Sequence, residues 1–336
     1  MARDVSYGGV SAPSLSDAEA RRTEAAVQPP SDELAEALAK PLSPMRQAIR
    51  RFSRNRLAVV SLVVLIVLFV ATCIAQWLPL YDPSFQDVPN FDSFPGGSHV
   101  LGTDSAGHDL FSQMIYGLRP AFIVGITGTV VTTILGVLFG VLAGFSGGWV
   151  DTVLSRFTDV MFAIPVLVFA LLAEALFAKV PNSPIQAAFG DYTTIIIMTF
   201  SFAIFGWPPL MRFVRGLTLQ YKEMQFVEAA RSLGVSNRSI VMKHILPNTW
   251  GLVLVQATFL IAGFIYNEVV LSILGFGVET PTADLGYLAD QALGNLELNW
   301  VEAVAPSALL TILIVAFAFL GDGLRDAFDP QTKLTG

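Results

Sequence analysis

Two glutamates, Glu174 and Glu268, stand inside long apolar runs of this 336-residue chain. A carboxylate at membrane depth is costly and defaults to a functional role. Glu268 lies in Tyr266-Asn267-Glu268-Val269-Val270-Leu271-Ser272. Asn267, Glu268, Glu174 and Trp207 are the candidate pathway or gate residues. Glu174 falls near one end of its run, where facing water is the plainer expectation. His99, His108 and His244 are scattered and lack the spacing of metal ligands. His99 and His108 do share a loop with several aspartates, which leaves a weak metal-binding alternative. Cys73 is the single cysteine. It allows no internal disulfide and no cysteine-based metal site, and packing suffices to explain it. No G-x-x-x-x-G-K-[ST] phosphate loop occurs, so the chain is not expected to hydrolyse ATP itself. No Ser-His-Asp or Cys-His arrangement rises above chance.

Other residues are spaced for docking. Residues 221–247 read Tyr-Lys-Glu-Met-Gln-Phe-Val-Glu-Ala-Ala-Arg-Ser-Leu-Gly-Val-Ser-Asn-Arg-Ser-Ile-Val-Met-Lys-His-Ile-Leu-Pro. Tyr221, Met224, Val227 and Ala230 recur every third residue, and Leu233 extends the series, which predicts one helical face. Gly234 suits the position just past a helix end, and Ser236 suits the N-cap of a second helix ending before Pro247. Two short helices therefore meet at a turn. They are too polar to span a membrane. They could lie on its surface or dock into a groove of a partner.

The elements around these residues are apolar and long. Of the residues, 53% are hydrophobic and only 14% charged, against about 25% charged in soluble domains. Mean hydropathy is +0.60. About 20 apolar residues cross a hydrocarbon core roughly 30 Å thick. Six segments qualify: 57–79, 120–144, 158–178, 193–216, 250–276 and 304–323. Trp207-Pro208-Pro209 is expected to kink the fourth. Gly136, Gly140 and Gly144 form a stripe in the second, suited to close approach of another helix, although membrane helices also tolerate glycine generally. The first 40 residues are rich in Ala, Ser, Pro and Glu, and residues 1–45 are expected to be a disordered tail. The first apolar run is too deep and too long for a signal peptide.

Lysine and arginine give an orientation. With the N-terminus cytoplasmic, 18 of the 20 Lys and Arg fall on the cytoplasmic side, leaving Arg119 and Lys179 outside. Arg46, Arg50, Arg51, Arg54 and Arg56 precede the first span and are expected to anchor it to anionic lipid. The net charge of −7 gathers outside, in Asp82, Asp87, Asp92, Asp104 and Asp109 and again in Glu279, Asp284, Asp290, Glu297 and Glu302. Simple solvation explains such loops. A mouth favouring cations, or a basic rim on a docking protein, is the alternative. The balance argues against nucleic acid as a partner.

Glu228-Ala229-Ala230, Gly234 and Ile245-Leu246-Pro247 resemble the "EAA" signature of permease subunits of binding-protein-dependent ABC importers. Leu101-Gly-Thr-Asp104 with Gly107 and Asp109, Tyr116-Gly-Leu-Arg119, Gly147-Gly-Trp-Val-Asp151, Leu271-Ser-Ile-Leu-Gly-Phe-Gly277 and the run Gly321–Pro330 are similar to the dipeptide/oligopeptide/nickel branch. The resemblance covers roughly residues 45–330. It implies an all-α polytopic fold of six transmembrane helices, the type I ABC importer permease. The parts would be a basic anchor and first helix at 46–80, an extracytoplasmic loop at 81–119, a five-helix core at 120–328 with its coupling loop at 217–247, and a cytoplasmic tail at 329–336. Glu228, Ala229, Ala230, Gly234, Leu246 and Pro247 would couple the chain to a cytoplasmic ATPase subunit. Glu228 would carry a polar contact, the alanines would allow close approach, and Gly234 would make the turn. Implied partners are a second homologous permease, one or two ATPases that bind ATP and Mg, an extracytoplasmic substrate-binding protein, and lipid. No cofactor is expected on this chain. Peptides are the implied cargo, with nickel complexes or another small solute as alternatives. The family often has Arg at His108 and Trp-Gly at Leu285-Gly286. An ion-coupled secondary transporter is the rival class, but it calls for repeated broken helices, and only Trp207-Pro208-Pro209 suggests one. A membrane-embedded enzyme, a second rival, would need a catalytic constellation.

Overall fold

The computed structural model describes residues 44–178, 180, 184–278 and 284–328. The tails at 1–43 and 329–336, Lys179 and Glu279 lie outside the described residues. Residues from 48 onward belong to one compact unit, whose architecture is given below.

Helix α1 (Pro44–Arg54) carries basic residues into its last turn. Asn55 then caps α2 (Arg56–Cys73), its side chain accepting from the Ala58 amide at 3.2 Å. Leu57, Val60, Val63, Ile66, Val67 and Val70 on α2 are all exposed. An apolar helix with so much uncovered surface belongs in lipid or against another membrane chain.

Helix α3 (Leu110–Ser146) has 37 residues, or about 55 Å. It starts ten residues before the expected span and runs through Pro120. Asp109 explains the early start: its carboxylate caps the helix, accepting from the Ser112 amide at 2.8 Å and hydroxyl at 2.6 Å.

The third expected span is two helices. α4 (Gly148–Phe162) and α5 (Val166–Ala173) meet at a bend of 68°. Pro165 disfavours helical geometry at Ile164, so the break falls there. A π-helical turn, Glu174–Ala178, extends α5. Helix α6 (Pro184–Phe189) leads to α7 (Thr193–Lys222). Trp207-Pro208-Pro209, where a kink is expected, lies within α7, which continues as one helix through both prolines. Packing against α3 holds it. An ideal Cβ on Gly140 would stand 2.7 Å from the Met211 carbonyl oxygen and 2.7 Å from Val214 Cβ. One on Gly144 would stand 2.8 Å from Thr218 Cβ. The expected glycine stripe is thus the seam between α3 and α7.

After α7 come α8 (Gln225–Ser232), α9 (Asn237–Ile240), a π turn (Val241–Ile245) and α10 (Leu246–Leu271). A third π turn, Ser272–Phe276, ends α10. Helix α11 (Leu285–Leu293) and helix α12 (Trp300–Phe328) complete the described chain. Among the described residues, five helices are long and apolar enough to cross a membrane, and the bent pair α4–α5 makes a sixth if taken as one span.

The bundle has two chemically different ends. The starts of α3, α7 and α12 share an acidic end, and their finishes share a basic one. A core of Leu110, Leu118, Phe122, Ile265, Leu285 and Leu313 ties α3, α10, α11 and α12 together. Met198, Phe202, Phe264 and Leu271 form a second core, and Val141, Leu210, Val214 and Val253 a third.

Candidate functional site

The hairpin between α7 and α10 projects from the basic end. Val227, Ala230, Ile240 and Ile245 are buried together, with Phe145, Tyr221, Val235 and Val241 packed against them. This is the apolar face expected from the three-residue spacing, with two corrections: Met224, at the N-cap of α8, is 37% exposed, and Leu233 is 83% exposed. Three-residue spacing drifts around a helix that turns every 3.6 residues, so a fifth member leaves the face. The turn has Schellman geometry. Val235 N–H donates to the Ala230 carbonyl and Gly234 N–H to that of Arg231, both within 3.1 Å. Gly234 has φ +76, which a side chain would strain.

Ser236 caps α9, its hydroxyl accepting from the Ser239 amide at 3.4 Å. The second helix does not end before Pro247. It continues through the π turn into α10, with Pro247 in the first turn of that helix. Leu246 packs at the root of α10 beside the third core, and Pro247 is exposed.

The outward side of α8 is distinct. Glu228 and Ala229 are exposed, as are Phe226 and Leu233. A carboxylate therefore stands among uncovered apolar side chains. Ahead of the hairpin, polar bonds tie α7 to α4 and to the end of α3. Arg215 grips Asp151 with two nitrogens, Nη2 reaching Oδ2 at 2.7 Å, and Lys222 Nζ donates to the Phe145 carbonyl at 2.9 Å. Asp151 ends the Gly147–Asp151 motif, whose partner residue sequence reasoning missed.

The proposed pathway residues do not gather in one place. Trp207 is 3% exposed, between Phe139, Phe157 and Met211. It joins α3, α4 and α7, so those helices would have to part to expose it. Glu174 is buried at the start of its π turn rather than facing water. Glu268 is 1% exposed and neither carboxylate oxygen has a hydrogen-bond partner among the described residues. Asn267 beside it is half-buried.

Glu268 borders a cluster that the sequence did not reveal. Asp284 is fully buried and caps α11 through the Tyr287 amide at 2.7 Å. Its other oxygen accepts from Ser272 Oγ at 2.8 Å and the Val278 amide at 2.7 Å. Burial pushes the Asp284 carboxyl up, against the pull of these donors. Gly286 fits against α10 so tightly that an ideal Cβ would lie 2.8 Å from Ser272 Cβ. That contact gives the Gly of Leu285-Gly286 a physical role.

The acidic-end loop is likewise built from buried polar bonds. His99 Nδ1 meets Asp109 at 2.9 Å and Nε2 meets Asp87 at 3.1 Å. Burial pulls this imidazole down, but the hydrogen bonds to Asp109 and Asp87, and their charges, outweigh it and raise it above the ordinary value. His108 Nδ1 meets Asp104 at 2.9 Å, and Gln86 Nε2 lies 3.3 Å from its Nε2. A neutral ring protonated on Nδ1 satisfies both contacts. Where the family often has Arg, His108 thus keeps a carboxylate contact. Asp109, Asp284 and Glu302 are buried, so solvation does not account for the whole acidic set. Among the described residues, no three His, Cys, Asp or Glu converge as metal ligands.

Spans, hairpin and acidic-end loop together define a membrane-embedded transport subunit. The chain belongs to the family of binding-protein-dependent transport system inner membrane components, which it matches over residues 136–334. Residues 43–95 match the N-terminal TM domain of oligopeptide transport permease C. The oligopeptide transport system permease protein OppC of Bacillus subtilis is 34% identical over 88% of this chain and 92% of its own. The dipeptide permease DppC of the same organism is 32% identical over 87% of each. The glutathione transport system permease GsiD of Pectobacterium atrosepticum is 32% identical, over 87% of this chain and 92% of its own. In fold, the chain is similar to a chain of the inward-facing methionine ABC transporter MetNI, with a TM-score of 0.50 at 20% identity, covering 65% of this chain and 97% of that one. It has the all-helical type I importer permease fold.

Proposed function

We propose that this chain forms half of the translocation pathway of an ATP-driven importer of dipeptides or oligopeptides. The observation that carries the proposal is the outward face of α8, where Glu228, Ala229, Phe226 and Leu233 are uncovered on a hairpin whose other face is buried. A short amphipathic helix held rigidly beyond the spans is the shape of a docking element. Its occupant is a cytoplasmic ATPase that supplies ATP and Mg, while this chain does no chemistry and binds no cofactor. Closure of paired ATPases moves the hairpin, and the bundle rocks between inward- and outward-facing states. A second, homologous permease completes the pathway. Peptide cargo follows the curated relatives, whose names specify oligopeptides, dipeptides and glutathione. A substrate-binding protein delivers the cargo at the acidic end. The basic end, with both termini, is cytoplasmic.

The test is co-expression with the neighbouring reading frames, followed by peptide uptake into proteoliposomes. An ATPase is expected to co-purify, and Glu228→Ala is expected to abolish ATP-driven uptake. The proposal fails if no ATPase co-purifies and Glu228→Ala transports normally.

A further inference from the structure

Arg119 is the sole Lys or Arg among the described residues of the acidic end. It lies on α3 nine residues from the helix start, about 14 Å along the axis. Carboxylates surround that end, yet Arg119 is exposed and makes no ion pair or hydrogen bond among the described residues. It borders a cavity of about 170 Å³ with Tyr116, Pro120, Asp191, Tyr192 and Val278. That cavity is where α3, the start of α7 and the finish of α10 come together. Asp191 is also exposed and is not paired with Arg119. A cation and an anion thus share one cavity without closing on each other.

A planar guanidinium presents a fork of donors matched to a carboxylate. Nothing in the described protein uses that fork. An unused cation at an otherwise acidic mouth selects for a cargo with an anionic end. An anion across the same cavity suits a cargo whose other end is an ammonium. Tyr116 and Tyr192 add aromatic walls with hydroxyl tips, a mixture typical of small-ligand sites.

We infer that this cavity is a transit subsite for the charged ends of a short peptide, with Arg119 taking the terminal carboxylate and Asp191 the terminal ammonium. The inference rests on the peptide cargo proposed above and adds the two groups that sense it. Both residues line the one cavity, so the two charged ends of a single short peptide meet them in the same place. The same arginine also borders a second cavity, of about 410 Å³, with Phe69, Thr72, Gln76 and Phe122 among its walls. A phospholipid headgroup there is the competing occupant.

The experiment uses the complete importer in liposomes, with binding protein verified as loaded. Initial uptake rates are compared for a dipeptide, its C-terminal amide and its N-acetyl form. Arg119→Met is expected to slow the free dipeptide by about tenfold or more, to leave the amide's rate unchanged, and so to erase the discrimination between them. Arg119→Lys is expected to restore part of it. Asp191→Asn is expected to erase discrimination against the N-acetyl form. Equal slowing of free and amidated peptide, or no slowing, overturns the inference while peptide import stands. So does loss of co-purifying phospholipid from Arg119→Met with the rate ratio unchanged. A wild-type importer that moves no peptide sinks the cargo proposal, and this inference with it.

Discussion

Replacing Gly140 with alanine tests whether the seam between α3 and α7 is as tight as the structure has it. The added methyl would sit 2.7 Å from the Met211 carbonyl oxygen and 2.7 Å from Val214 Cβ, roughly 1 Å inside the optimal separation for such atoms. A backbone oxygen cannot rotate away, so the helices must move apart. Overpacking of this kind costs about 1–3 kcal/mol, while alanine returns about 1 kcal/mol of helix propensity over glycine. The net expectation is a loss of about 0–2 kcal/mol. Gly216→Ala is the control. Its added methyl meets nothing within 4 Å, so only the propensity gain remains. The two variants should differ by the overpacking cost alone, about 1–3 kcal/mol, in reversible unfolding of the purified chain in detergent. Gly136→Ala falls between them, because its neighbour is the Leu210 side chain, which can shift. If Gly140→Ala is as stable as Gly216→Ala, the seam is looser than described and the close-packing argument is wrong.

The His99 site makes the acidic-end loop sensitive to pH. Its partners raise the imidazole above its ordinary value, so protonated His99 stabilises the fold. That contribution is complete below about pH 6.5 and is lost as pH rises through the raised value. Asp87, lowered by its bonds to Asn90 and His99, contributes above its ordinary range and loses that contribution only in acid. Amide exchange of residues 87–109, corrected for intrinsic rate, should therefore accelerate as pH rises past the ordinary imidazole value of about 6.5 and through the raised one, and His99→Gln should flatten the profile. Asp109→Ala removes the α3 cap and one His99 partner together; a loss of at least about 1–2 kcal/mol is expected in thermal unfolding, and a change under about 0.5 kcal/mol would contradict the capping role. Glu228 is exposed, so Glu228→Ala should shift stability by less than about 0.5 kcal/mol while uptake is lost. Arg215→Lys breaks the two-nitrogen grip on Asp151, and limited proteolysis at the α7–α8 junction should become faster.

Much of the fold was legible because lipid imposes simple rules. Long apolar runs mark α2, α3, α7, α10 and α12 whatever their tertiary contacts. Break points were harder. Pro208 and Pro209 were the visible breakers, yet α7 passes through them because its seam with α3 outweighs the missing amides. The bend falls at Ile164-Pro165, where a single proline meets no such support. At the hairpin, Gly234 and Ser236 announced the turn and cap, since both act through local geometry. Pro247 misled because a proline stop and a proline first turn look alike in sequence. The buried polar cluster at Ser272, Asp284 and Gly286 was hidden for another reason: its members are 12 and 14 residues apart, and only the fold shows that Asp284 caps a helix rather than meeting water. Arg119 and Asp191 lie farther apart still, and only the convergence of three helices places them in one cavity.

The central claim is that α8 couples this chain to a cytoplasmic motor, and Leu233 offers the most direct probe. It is 83% exposed at the tip of the hairpin. With Cys73 replaced by serine, Leu233→Cys in the assembled importer should crosslink to the ATPase subunit, with a yield that changes between nucleotide-free and ATP-bound states. The introduced thiol should also resist membrane-impermeant reagents applied to intact cells. Labelling of that thiol from outside the cell, or crosslinking to the secreted binding protein instead of an ATPase, would contradict the account.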